Sequence, residues 1–292
     1  MFFARQRSVG DRPVAIKVLC RPYLSLREPD LRRASLALLR EARLLGALRS
    51  PCFINIIRTG KVEDGRPYIA MELAQGPTVA KVLNEKKRLG VGVLADMLAQ
   101  LGEGLAELHG IGYVHRDITP ANLILSPTNL RENRVRMVDF GTVTKISGRA
   151  DRYRVGYDLE HPLGTPAYMA PEQATGGVVD GRADQFAVAA IIYECLSGRR
   201  PVSQVEPGAR GMLLRLRGTD PLPETPLTEL RHDLPEGLAE TVDRALSRDP
   251  DARHPHIGAF VQAFQAKAGG LVRRRRRRSS FIGRFLREKE AT

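Results

Sequence analysis

Residues 183–196 constrain the fold more than any other part of the chain. They read Ala-Asp-Gln-Phe-Ala-Val-Ala-Ala-Ile-Ile-Tyr-Glu-Cys-Leu, apolar nearly all round, and a helix without a polar face has to be surrounded by protein. The most apolar stretch, residues 186–196, is eleven residues long including Glu194, whereas a bilayer span needs about 20. The chain is therefore expected to fold around a central buried helix and not to cross a membrane. Met1-Phe2-Phe3, followed at once by Arg5 and Arg7, does not have a signal-peptide layout.

Other segments supply what surrounds that helix. Residues 13–20 and 66–73 read as short strands, and residues 31–48 have helical spacing with Leu38, Leu45 and Leu48 on one stripe. After Gly76 the character changes. Residues 94–108 carry Leu94, Met97, Leu98, Leu101, Leu105 and Leu108 on one face. Residues 199–237 contain six prolines and read as irregular, while 238–246 and 257–266 are again helical. The fold class is α+β, with a small sheet-containing part (residues 1–74), a larger helical part (75–268) and a basic tail (269–292).

Charge belongs mostly to the tail. The net charge is +13, and residues 271–292 hold nine cations against two anions, so the body carries only a modest excess. The basic balance describes a tail and not a nucleic-acid-binding domain, and nucleic acid is not expected as a partner. Hydrophobic residues make up 42% of the chain, which excludes a disordered or collagen-like protein. Cys20, Cys52 and Cys195 are odd in number and far apart, so neither a disulfide framework nor a zinc site follows, and a reducing cytoplasm is the expected home. His254 and His256 have no third ligand nearby and read as surface histidines.

Glu41 is the first anomaly. It stands three residues after Leu38 and four before Leu45, on the inward stripe of its helix, where a carboxylate is costly unless a cation meets it. Lys17, on the strand that contains Val14, Ala15 and Ile16, is the natural partner. Two such residues alone would read as a rim glutamate and a surface lysine. Further polar groups follow, however: His115-Arg116-Asp117-Ile118-Thr119-Pro120-Ala121-Asn122, then Val138-Asp139-Phe140-Gly141, then Gly164-Thr165-Pro166-Ala167-Tyr168-Met169-Ala170-Pro171-Glu172. Phosphoryl transfer needs a carboxylate near the attacking hydroxyl, oxygen ligands for magnesium and a fixed cation on the phosphates. Asp117, Asn122, Asp139 and Lys17 supply those types.

This set resembles the eukaryotic-like protein kinase family over residues 1 to about 266, in its bacterial-type Ser/Thr branch. The resemblance implies a two-lobed α+β fold that uses ATP and Mg2+ to phosphorylate protein Ser/Thr, itself included. By that resemblance Lys17 holds the α/β-phosphates, Glu41 holds Lys17, Asp117 accepts or orients the substrate hydroxyl proton, and Asn122 and Asp139 bind magnesium. Met71 stands beside the adenine, Glu72, Leu73 and Ala74 form the hinge, and Ala15 and Ile124 sandwich the base. His115, Phe140 and Leu45 would stack internally. Glu172 and Arg253 match a buried ion pair, and Asp184 matches an aspartate that braces the catalytic loop. Pro120 and Gly164-Thr165 point to Ser/Thr and not tyrosine as acceptor.

Three departures qualify the resemblance, and a basic tail follows it. The family's glycine-rich loop should precede Met1-Phe2-Phe3-Ala4-Arg5, so the first strand and that loop are missing from the sequence; the expectation is a start placed downstream of the true one. Thr119 stands where a lysine usually contacts the γ-phosphate, which weakens charge stabilisation. Together these two features support an alternative, a catalytically weak or inactive pseudokinase acting as a scaffold. Residues 148–164 contain no Ser or Thr, only Tyr153 and Tyr157. Activation is therefore expected not to depend on Ser/Thr phosphorylation there, with Asp158 or Glu160 in place of a phosphate opposite Arg116. Finally, Arg273, Arg274, Arg275, Arg276, Arg277 and Arg278 precede a short segment with Phe281, Ile282, Phe285 and Leu286 on one face. This arrangement suits an anionic membrane surface at the inner face of the membrane, although the preferred expectation is a solvated charge run.

Overall fold

A computed structural model describes residues 1–7, 10–18, 28–86, 88–129, 132–146, 166–202 and 209–275. Cys20, Ser147, Tyr153, Tyr157, Asp158, Glu160, Gly164, Thr165 and the tail beyond Arg275 lie outside them.

A four-stranded antiparallel sheet forms from β1 (Phe2–Gln6), β2 (Arg12–Val18), β3 (Ile56–Lys61) and β4 (Pro67–Glu72), in the order β1-β2-β4-β3, and β4 alternates buried with half-buried residues. Ala15 lies opposite Met71 and Lys17 opposite Ile69, so these four share one face. Helix α1 (Glu28–Ala47) lies against that face through Leu38 and Ala42, which join Ala15, Ile54, Ile69 and Met71 in one small core. Strand β1 pairs with β2 alone among the described residues, and Phe2 and Phe3 are exposed.

The rest is largely helical. After α2 (Val79–Lys86) comes α3 (Val91–Gly110), then the short β5 (Tyr113–Val114), a hairpin of β6 (Leu123–Asn129) and β7 (Glu132–Met137), and β8 (Thr144–Lys145), which pairs with β5. Helix α4 (Pro171–Thr175) leads to α5 (Gly181–Ser197), followed by α6 (Ala209–Arg217), α7 (Leu227–Leu230), α8 (Leu238–Ala245) and α9 (Ile257–Arg275). Fourteen of the seventeen residues of α5 are buried, which accounts for its missing polar face. Asp180 caps its start by accepting from Arg182 N at 2.8 Å, and Gly198, at φ +75°, ends it in a conformation that favours glycine. The architecture is the two-lobed α+β arrangement, a sheet-containing part followed by a helical one.

Three sequence readings need correction. Residues 199–237 are not irregular throughout, because α6 buries Met212, Leu213 and Leu216 at helical spacing between the prolines. Helix α9 does not stop near residue 266 but continues through Gly269 to Arg275. His254 is not a surface residue: it is buried, its Nε2 lies 3.1 Å from Thr241 O, and its ring stacks on Phe260. The physical reason is its neighbour Arg253, which Glu172 draws into the core, taking the chain with it. Cys52 and Cys195 are buried free thiols. No helix among the described residues is long and apolar enough to cross a membrane.

Candidate active site

Strand β2 delivers Lys17 and α1 delivers Glu41 to the same point. Lys17 Nζ donates to Glu41 Oε1 at 2.8 Å and Oε2 at 2.9 Å, and to Asp139 Oδ1 at 2.7 Å. Glu41 is the inward carboxylate anticipated from the helix stripe; its Oε1 also accepts from Phe140 N at 3.1 Å, so the buried charge is satisfied twice over. Burial pushes the Lys17 ammonium down, but the Glu41 and Asp139 charges outweigh it and the net direction is up. Burial raises Asp139 in turn, and the Lys17 cation overrides it, holding that carboxyl below its usual range.

Asp139 has φ +72°, a left-handed conformation that costs most residues about 1–2 kcal/mol and Asp rather less. The next turn shows why it is held. Gly141 N donates to Asp139 Oδ1 at 3.2 Å, and a Cβ on Gly141 would sit 3.3 Å from that oxygen and 3.7 Å from Lys17 Nζ. The missing side chain keeps this corner open.

The His115–Asn122 motif follows β5. Asp184 on α5 is fully buried, and its two oxygens accept from His115 N and Arg116 N, each at 2.8 Å; His109 Nε2 lies 2.8 Å from Oδ2. Those contacts hold Arg116 at φ +70°, strain that the surrounding bonds over-determine. Burial pushes the His115 imidazolium down against the pull of the nearby carboxylates, Asp184 foremost, and its Nδ1 accepts from Asp117 N at 3.4 Å. Its ring meets Phe140 edge-on at 4.8 Å between centroids, in the core that also holds Leu45. Asp117 is half-buried. Burial raises its pKa, the nearby Asp139 charge raises it further, and His115 opposes both. Asn122 Nδ2 donates to Asp117 O at 3.1 Å, and Asn122 O accepts from Val138 N at 2.9 Å, which ties this loop to the strand before Asp139. Thr119 is 6% exposed and opens the 3-10 turn Pro120–Asn122 without capping it by its side chain.

The remaining residues named from the sequence lie around the sheet. Ala15 and Met71 are buried opposite one another, Glu72, Leu73 and Ala74 are half-buried where β4 ends, and Ile124 lies on β6, bridged to Thr78. At Gly76, φ +130°, a Cβ would fall 2.1 Å from Leu125 O; only glycine lets the chain pass here. A cavity of about 840 Å³ between α1 and β8 is lined by Glu41 and Phe140 themselves, with Arg40, Leu44, Arg116 and Lys145 among others. It does not include Lys17, Asp117 or Met71.

The donor set suits a hard divalent cation. Asp139 offers a carboxylate whose side chain is 45% exposed, and Asn122, having committed its amide nitrogen to Asp117 O, retains its amide oxygen; both are the oxygen ligands magnesium prefers. Sequence reasoning missed two supporting contacts. Thr142 Oγ1 donates to His115 O at 2.9 Å, and Gln173 Nε2 donates to Arg116 O at 3.0 Å. Both occupy motif-flanking positions where the side-chain type gave no signal.

The protein kinase domain profile matches residues 5–264. Relatives include the serine/threonine-protein kinase pkn3 of Myxococcus xanthus, 32% identical over 96% of this chain and 49% of its own length. Another is the serine/threonine-protein kinase PknA of Mycobacterium tuberculosis, 31% identical over 89% of this chain and 56% of its own length. The chain spans about half the length of these relatives.

Proposed function

The chain belongs to the protein kinase family, and from that premise we propose that it transfers the γ-phosphoryl group of ATP to Ser/Thr hydroxyls of protein substrates. One observation carries the reading: a lysine from the sheet is ion-paired at once to a buried helix glutamate and to the aspartate after β7, beside a half-buried Asp117. Magnesium ATP, when bound, supplies the phosphoryl group and part of the charge neutralisation.

The chain's own residues divide the remaining work. Lys17 holds phosphate oxygens, and Glu41 fixes the lysine's direction. Asn122 and Asp139 hold magnesium through oxygen. Ala15, Met71 and Ile124 pack the base, with backbone groups of Glu72, Leu73 and Ala74 at its edge. Asp117 accepts the proton from the acceptor hydroxyl, and its raised pKa brings it nearer the operating pH of a general base. Thr119 lends a small hydroxyl-bearing side chain beside it and no charge. The lobes meet near residue 74.

The test is phosphate incorporation from magnesium ATP into a generic acceptor protein, with phosphoamino-acid analysis, comparing the chain with Asp117→Asn. Phosphoserine and phosphothreonine from the chain alone are expected. Equal incorporation by both proteins would overturn the reading in favour of a scaffold.

A further inference from the structure

Arg136 has no part in the site as described. It lies on β7, three residues before Asp139, and is 6% exposed, an uncommon setting for a guanidinium. Its Nη2 donates to Glu72 Oε2 at 2.5 Å and its Nη1 to Pro51 O at 2.8 Å. Glu72 is held a second time by Asn55, whose Nδ2 donates to the same Oε2 at 3.0 Å and whose carbonyl accepts from Glu72 N at 2.9 Å. The backbone beside Arg136 is fixed as well. Met137 N donates to Cys52 O at 2.7 Å, Val138 N donates to Asn122 O at 2.9 Å, and Ile124 faces Arg136 across the β6–β7 hairpin. One side chain thus joins the end of β4, the loop after α1 and the strand that leads to Asp139.

A buried pair of this kind contributes little net stability, because desolvation offsets most of the attraction; an apolar pair would pack as well. What the pair does provide is a single geometry. The base and the phosphates are opposite ends of one rigid-length ligand, so the segment that receives the base and the aspartate that faces the phosphates must keep a set separation. We propose that Arg136 is a positioning residue for the nucleotide: by gripping Glu72 it holds the hinge in register with β7 and hence with Asp139. The inference rests on the kinase reading and on Glu72, Leu73 and Ala74 as the hinge. Contacts to the base lie far from the reacting phosphorus and are equal in ground and transition states. Their loss raises KM and leaves kcat nearly unchanged.

The test uses the full chain and three single variants, Arg136→Ala, Glu72→Gln and Asn55→Ala, with folding checked by circular dichroism. ADP binding is titrated calorimetrically in magnesium, and KM for ATP is measured alongside kcat. Arg136→Ala and Glu72→Gln are each expected to weaken ADP binding about tenfold and raise KM to match, with kcat within about twofold, since each removes one charge of a buried ion pair and leaves the other unopposed. Asn55→Ala, which removes only the second hold, is expected to cost about threefold. Arg136→Ala combined with Glu72→Gln is expected to be no worse than either alone, as partners in one interaction are. If Arg136→Ala does not fold, the Glu72 and Asn55 variants decide the matter. ADP affinity unchanged within about twofold in folded Glu72→Gln, or kcat falling while KM stays put, overturns the proposal. A parent chain that neither binds ADP nor transfers phosphate overturns the kinase reading and this inference together. A parent chain that does both, with unaltered variants, overturns this inference alone.

Discussion

The Glu172–Arg253 pair and the Lys17–Glu41–Asp139 cluster are built from the same kinds of charge, yet one is closed and the other open. Arg253 has a fully buried side chain and Glu172 one that is 9% exposed, joined by two bonds of 2.8 Å each. The guanidinium also donates to Ser247 O at 2.7 Å, Arg182 O at 2.9 Å and Arg248 O at 3.2 Å, and lies 4.9 Å over the Phe186 ring. Nothing is left for a ligand. Lys17 is 22% exposed and Asp139 45%, and the protein groups that Asp139 accepts from, Lys17 Nζ and Gly141 N, both use Oδ1. A buried charge must be satisfied wherever it sits. The unused bonding capacity is therefore what separates a site that binds from a pair that only holds the fold together.

This contrast can be broken from either side. The largest effect is expected on the open side: Asp117→Asn should lower turnover by about 10²–10⁴-fold, the usual range for removal of a general base, while the urea midpoint barely moves. On the closed side, Arg253→Ala should cost about 3–5 kcal/mol in urea unfolding by stranding Glu172. Replacing both Glu172 and Arg253 by leucine should recover much of that loss, which would show that the harm lies in the orphaned charge. Lys17→Met should lower activity by about 10²–10³-fold, comparable to losing one preorganised donor to developing charge. Its stability cost should be smaller than that of Arg253→Ala, since water reaches the cleft side of the cluster.

The smallest effects lie in pH. Asp117 must be ionised to accept a proton, and burial raises its pKa. The acid limb of kcat/KM should accordingly lie above its ordinary 3.8. For stability the signs run in opposite directions. Lys17 is raised in the folded state, so its contribution is complete below 10.5 and is lost as pH rises through the higher folded value. Asp139 is depressed, so its contribution is present above 3.8 and is lost as pH falls through the lower folded value. The stability gap between the chain and Lys17→Met should be widest between those limits and narrow outside them; a gap independent of pH would show that the cluster contributes through packing alone.

Much of the architecture was legible before any coordinates. The buried helix followed from residues 183–196, and the inward stripe of α1 led from Glu41 to Lys17 without reference to any family. Less legible were α6, hidden among prolines, and the burial of His254, which depends on a partner more than eighty residues earlier in the chain: Glu172 holding Arg253. The β6–β7 hairpin and Arg136 gave no signal either, because a lone arginine in a mixed stretch reads as surface until Glu72 is seen beside it.

The order of residues decided which groups this protein owns: an inward glutamate, a strand lysine, two aspartates and an asparagine in motifs, and a helix that had to be central. Periodicity and cost of burial act over a turn or two of chain, so sequence suffices for them. Tertiary structure alone decided which charges end up closed and which open, why Arg116 and Asp139 can occupy left-handed backbone, and that Arg136 reaches the end of β4. Those outcomes depend on atoms brought within 3 Å across long stretches of chain, and no local pattern encodes such meetings.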